Sequence, residues 1–141
     1  MRVRNHLRLK EYGDFLASLN NVLETKVQER TVQLKEGALI ALTHHECWDG
    51  SGYPSGIKGE KIPMPGRMML LCDQYDALRG QRPYKPPIEH RAVVKILTEG
   101  DGRTRPEQFC PEVLDAFVSC KDDFQRIYSV SAASIAGSLQ I

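Results

Sequence analysis

Residues 38–78 read ALIALTHHECWDGSGYPSGIKGEKIPMPGRMMLLCDQYDAL, and three local patterns succeed one another in them. ALIALTHHE, 38–46, has helical spacing, with Leu39, Ile40 and Leu42 available for a core. DGSGYPSGIKGEKIPMPG, 49–66, holds five glycines and three prolines, which no regular element tolerates. It is a loop, and a loop of that length inside a compact domain is usually functional or disordered. RMMLLCDQYDAL, 67–78, is again helical, apolar at Met68, Met69, Leu70, Leu71 and Tyr75, with Asp73 and Asp76 three apart on one face. Helix, long loop, helix is the frame from which the rest is read.

Upstream, residues 5–36 contain no proline and only Gly13. Apolar side chains recur at Leu9, Tyr12, Leu16, Leu19, Leu23, Val27 and Leu34, which are helical steps. Lys26, Arg30 and Gln33 stand where a strict heptad wants apolar residues, so a single amphipathic helix in search of a partner fits better than a long coiled coil. Gly37 lowers helix propensity and marks a boundary. Downstream, Pro83, Pro86 and Pro87 end the second helix. IEHRAVVKILTEG, 88–100, forms a third, stopped by Gly100, and Pro111 opens a fourth with Val113, Leu114, Phe117, Val118 and Phe124 as its stripe. SVSAASIAGSLQI, small and serine-rich, is expected as a loose tail. No alternating run long enough for a strand occurs, so the fold class is all-α.

With 141 residues, 41% hydrophobic and 26% charged, the chain suits one compact domain with an appendage. A net charge of +1 creates no field that would attract a nucleic acid polymer or an anionic membrane, so phosphate binding would need a local cluster. Apolar runs such as MMLLC at 68–72 are far below the roughly 20 residues of a membrane helix. The basic start, MRVRNHLRLKEY, lacks the apolar region of a secretory signal, and a cytoplasmic location is expected. Cys47, Cys72, Cys110 and Cys120 form no CxxC pair and are expected as reduced, mostly buried thiols.

The chemistry concentrates in the loop and its flanks. Consecutive histidines at 44 and 45 project about 100° apart on a helix, so each can face a different neighbour. Imidazole suits zinc, iron, copper and nickel, and a carboxylate such as Asp73 can bridge hard divalent ions. A two-metal site would activate water and clamp a phosphoryl oxygen, while the spacing is equally compatible with solvated or hydrogen-bonded imidazoles. Arg82 and Lys85 pair a guanidinium fork with a point charge on a proline-constrained turn; they suit phosphate groups, or are a solvated basic turn. Trp48 and Tyr53 flank the glycines, placed to stack on a nucleobase or to cap the core.

Taken together, HHECWDGSGYPSGIKGEKIP, GRMMLLCDQYDAL and RPYK resemble, in order and separation, the HD-GYP family of metal-dependent phosphohydrolases. The resemblance covers roughly residues 38–128. It implies an all-helical bundle, hydrolysis of the bacterial second messenger cyclic di-GMP, and a centre of two or three metals, often iron or manganese. It makes His44, His45 and Asp73 metal ligands, Arg82 and Lys85 holders of the nucleotide phosphates, and Gly52-Tyr53-Pro54 the signature loop that shapes the site and meets signalling proteins.

Residues 3–34 further resemble the end of a response-regulator receiver domain running into its signalling linker, as in two-component signalling. The implied layout is a linker helix over 1–36, a partial HD-GYP domain over 37–128 and a flexible tail over 129–141. The family's histidine-aspartate pair, its lysine, and its earlier glutamate and histidine ligands precede the HHE segment. Here QLKEG passes straight to ALIALTHHE, and His6 and Asp14 do not reproduce the missing motif. The resemblance therefore implies an internally deleted relative whose metal half-site is weak and whose second helix is left with uncovered apolar surface. Three roles follow: a phosphodiesterase completed by self-association or by a full-length relative, a non-catalytic interaction or nucleotide-binding module, or a decayed gene product.

Overall fold

The computed structural model describes the backbone of residues 2–81, 83–84 and 86–138, and the side chains of residues 10–131 among them. Four helices follow one another: α1 (Arg2–Thr43), α2 (Met64–Arg79), α3 (His90–Glu99) and α4 (Pro111–Ser138), with short 3-10 turns at Gly59–Lys61 and Pro106–Gln108. No strand occurs among the described residues, so the all-α expectation holds.

Two compact units divide the chain, Met1–Ala38 and Leu39–Ile141. The first is the bulk of α1, whose side chains from Lys10 to Leu39 are all exposed. Gly37 does not end this helix, contrary to the sequence expectation; α1 passes through it and stops at Thr43. An interior glycine costs a helix only about 1 kcal/mol, too little to break so long a run.

In the second unit the core is built by Leu70, Leu71, Tyr75 and Leu78 of α2, Val93 and Leu97 of α3, Phe117 of α4, and Phe109 from the turn before it. Their spacing on α2 puts one face of that helix inward. Tyr75 is the hub: Phe117, Phe124 and Tyr128 meet it edge-on at 5.9, 5.4 and 6.2 Å between ring centroids, the geometry aromatic quadrupoles prefer. Burial pushes its phenol above the usual tyrosine range. Its hydroxyl lies 2.8 Å from Nδ1 of buried His90, tying α2 to α3. Gly100 ends α3 at φ 88°, donating its N–H to the Ile96 carbonyl at 2.9 Å, a conformation glycine adopts without strain.

Several apolar positions lie outside this core. Leu39, Leu42, Met68, Met69 and Val118 are exposed. Met64, Met68, Leu71, Cys72, Phe117 and Cys120 line an apolar groove of about 280 Å³ on α2 and α4, in keeping with uncovered surface on the Asp73 helix. The cysteines are less buried than expected: Cys110 is buried, Cys47 and Cys120 are half-buried, and Cys72 is exposed. Cys72 sits on the outer side of α2 because the inward side is taken by Leu71 and Tyr75. Residues 129–138, expected in the tail, continue α4 as helix; serine and alanine contain nothing that stops one, and the only irregularity is a kink at Cys120, φ −118° and ψ 19°.

Candidate active-site half

The candidate site starts where α1 ends. Nδ1 of His44 lies 2.9 Å from the Ile40 carbonyl and 3.1 Å from that of Ala41. Carbonyls only accept, so Nδ1 is the donor in these contacts and Nε2 is left for other partners. His45 follows in the turn, its ring 3.9 Å from that of His44 and stacked on Tyr53 at 4.7 Å and 24°. The Tyr53 N–H donates to the His45 carbonyl at 3.2 Å, closing the loop back onto the histidines.

That closure depends on Gly52. A Cβ built there would collide with the Cys47 nitrogen and the His45 carbonyl oxygen, and would stand 2.6 Å from the Glu46 Cα. Only glycine lets the two backbone segments come this close. The Tyr53–Pro54 peptide is cis. Beneath the turn, Glu46 is 1% exposed; its Oε1 accepts the Ser55 N–H at 2.7 Å, while Oε2 has no hydrogen-bond partner among the described residues.

Further along, Asp49 accepts the N–H and hydroxyl of Ser51 at 2.9 and 2.6 Å and pairs with Arg105 at 3.0 Å. Burial works to raise this carboxyl, but the Ser51 hydrogen bonds and the Arg105 guanidinium outweigh it and hold it below the usual range. Burial pushes the neighbouring Cys47 thiol up, and nearby Asp49 and Glu46 add to the effect against the Ser51 hydrogen bond and Arg105, which lowers its thiolate fraction. Arg67 locks the far end of the loop: Nε donates to the Ile62 carbonyl at 2.6 Å and Nη2 to that of Glu60 at 2.9 Å, with the guanidinium 5.1 Å from the Trp48 ring centroid. Trp48 and Tyr53 thus have different tasks, one anchoring the loop through Arg67 and the other backing His45.

The structure brings His44, His45, Gly52, Tyr53 and Pro54 into one turn. Asp73 is exposed on α2, and among the described residues no three histidine, cysteine, aspartate or glutamate side chains are gathered so as to hold a metal ion. The paired imidazoles are the right donors for a transition metal, but they and Asp73 do not form a closed metal cage. Arg82 and Lys85 lie outside the described residues. Arg67 and Arg105 escaped the sequence reading, because the side chains and carbonyls they hold are brought to them only by the fold.

The HD domain family matches residues 5–106, 102 of the 141 positions, spanning most of α1, the histidine turn, α2 and α3. The chain belongs to the HD domain family. It is 48% identical over 88 residues to a cyclic di-GMP phosphodiesterase of Vibrio cholerae serotype O1, covering 62% of this chain and 17% of that protein. It is 41% identical over 100 residues to the cyclic di-GMP phosphodiesterase response regulator RpfG of Xanthomonas campestris pv. campestris, covering 71% and 25%. A third relative, 39% identical over 85 residues and covering 60% and 16%, is a 3'3'-cGAMP-specific phosphodiesterase of Vibrio cholerae. The chain is thus related to the HD-GYP phosphodiesterases, as its motifs imply, and it spans about a quarter or less of the length of these relatives. No helix among the described residues is long and apolar enough to cross a membrane.

Proposed function

We propose that residues 37–128 are the glycine-loop part of a cyclic dinucleotide phosphodiesterase site, with cyclic di-GMP as the substrate. In this reading His44 and His45 are two ligands of a divalent centre of iron or manganese, Asp73 is a third, and the rest are supplied from outside the described set. Residues 1–36 act as a signalling linker, and the exposed Tyr53-Pro54 face is available to partner proteins. The observation that carries the reading is the fixing of two adjacent imidazoles by different means. His44 is held through Nδ1 by the end of its own helix, and His45 through its face by Tyr53. Ligating histidines are oriented in this way, one nitrogen or face committed and the other nitrogen free.

The described residues fall short of a complete centre, and besides those ligands the chain supplies orientation: the turn aims the imidazoles, Glu46 and Gly52 hold the turn, and Arg67 with Trp48 closes the loop. Arg82 and Lys85 are assigned the phosphates. The alternative role, a nucleotide-binding or interaction module without turnover, uses the same loop and the same two cations, and the groove on α2 and α4 favours association in either case. The relative that acts on 3'3'-cGAMP keeps the second base of the dinucleotide open to test.

The test is turnover of cyclic di-GMP and 3'3'-cGAMP by anaerobically purified protein supplied with manganese or ferrous iron, alongside metal content measured in the protein and in H45A. Stoichiometric metal and hydrolysis, both lost in H45A, support the enzyme. Nucleotide binding without hydrolysis supports the module, and neither binding nor hydrolysis overturns both.

A further inference from the structure

Arg79 is the last residue of α2, a place where a cation ordinarily meets the helix dipole from solvent. This one is turned inward. Its guanidinium carbon lies 4.7 Å from the ring centroid of Tyr128 on α4, and its Nη1 donates to the Ile88 carbonyl at 3.2 Å. Its Nε is buried without a hydrogen-bond partner, and no carboxylate forms an ion pair with it among the described residues. Partly burying a charge with no acid beside it costs stability, so packing alone does not account for the placement.

The guanidinium sits across the base of a loop. Residues 80–87 read GQRPYKPP, the turn to which Arg82 and Lys85 belong. Where the loop leaves α2, the Gly80 N–H is held by the Asp76 carbonyl at 2.8 Å; where it ends, the Ile88 N–H donates to the Leu78 carbonyl at 3.2 Å. Both backbone groups of Ile88 are therefore tied to the last turn of α2, the N–H through backbone and the carbonyl through Arg79. Tyr84, inside the loop, is wholly exposed and packs on no core that could fix its neighbours.

We propose that Arg79 is a positioning residue for the phosphate-holding turn: it ties Ile88 to α2 and α4 and so narrows the paths open to Arg82 and Lys85. The inference rests on the reading above that those two cations take the nucleotide phosphates. Pro83, Pro86 and Pro87 each fix one backbone angle, but stiff links between loose ends still swing. Pinning the end removes that freedom before the ligand arrives, and freedom lost only on binding is subtracted from affinity. Arginine suits the task because its flat group can lie on the Tyr128 ring while an edge N–H reaches the Ile88 carbonyl; an ammonium cannot do both.

The test is isothermal titration of the full chain with the phosphorothioate analogue of cyclic di-GMP, which resists hydrolysis, in the presence of manganese. Parent, R79A, R79K and R82A are compared, with amide exchange followed in the nucleotide-free proteins. R79A should raise Kd about tenfold, the size of one lost ordering contact. The salt dependence of Kd should match the parent's, since Arg79 touches no phosphate in this role, whereas R82A should flatten it. Exchange at the Ile88 amide should rise in R79A while Val93 and Leu97 of α3 keep their protection. R79K retains the charge and the aliphatic stem, folds even where R79A does not, and should show the same pattern to a smaller extent. An unchanged Kd in both Arg79 variants beside a weakened R82A overturns the inference and leaves the proposed function standing. A salt dependence flattened in R79A as in R82A also overturns it, by making Arg79 a phosphate contact, and so does a rise in exchange that includes α3. A parent that does not bind the analogue overturns the functional reading and this role together.

Discussion

At Gly52 the backbone passes so close to Cys47 and His45 that a methyl group has no place to go. The clash is with backbone, which a rotamer change cannot relieve, so G52A should cost about 3 kcal/mol, the upper end of overpacking. The Tyr53–His45 stack should loosen with it. A chemical denaturation midpoint measures the first effect, and the accessibility of His45 to diethylpyrocarbonate measures the second; a variant as stable as the parent with His45 equally protected would refute the account. This residue was legible in the sequence as part of a glycine-rich turn, but its reason was not, since a one-dimensional pattern does not show which backbones converge. Glu46 illustrates the same gap. Nothing in the sequence shows that it is buried under the turn and receives the Ser55 N–H.

At the scale of elements, the helix–loop–helix frame was readable because proline, glycine and apolar periodicity are local signals. The continuity of α1 through Gly37 was not, because propensity costs of about 1 kcal/mol are easily overridden. Nor was the order of the 44–63 loop, which depends on Arg67 reaching back from the first turn of α2 to the Glu60 and Ile62 carbonyls and across Trp48. These contacts use the planar guanidinium as a fork and as a stacking plate, functions an ammonium lacks. R67K should therefore lower stability by about 1–2 kcal/mol through loss of charge-assisted hydrogen bonds. Amide hydrogen exchange should rise at Gly59 and Ile62, whose N–H groups are held by the Trp48 and Gly59 carbonyls, and not in α3. Uniform exchange across both regions would show that Arg67 supports the whole unit and does not act on the loop alone.

For the molecule as a whole, the hydrophobic stripes predicted a packed α2, α3 and α4, but not that a polar pair would sit inside their junction. His90 is buried against Tyr75, and burial, aided by the Arg79 guanidinium and Lys121, holds its imidazole below the usual value of 6.5, while Asp122 works the other way. The unfolded chain therefore takes up this proton at a higher pH than the native one. In the interval between the two values the unfolded state binds more protons, so stability rises with pH there. The contribution of His90 is complete above pH 6.5 and is lost as pH falls from that value through the lower native one. H90N removes the titrating ring while retaining a polar side chain, and it should flatten the decline in denaturation midpoint between pH 7 and pH 5 relative to the parent, whatever its absolute stability. An identical slope in the two proteins would mean that the junction tolerates a charged imidazole, and that the acid sensitivity of the fold arises among its carboxylates.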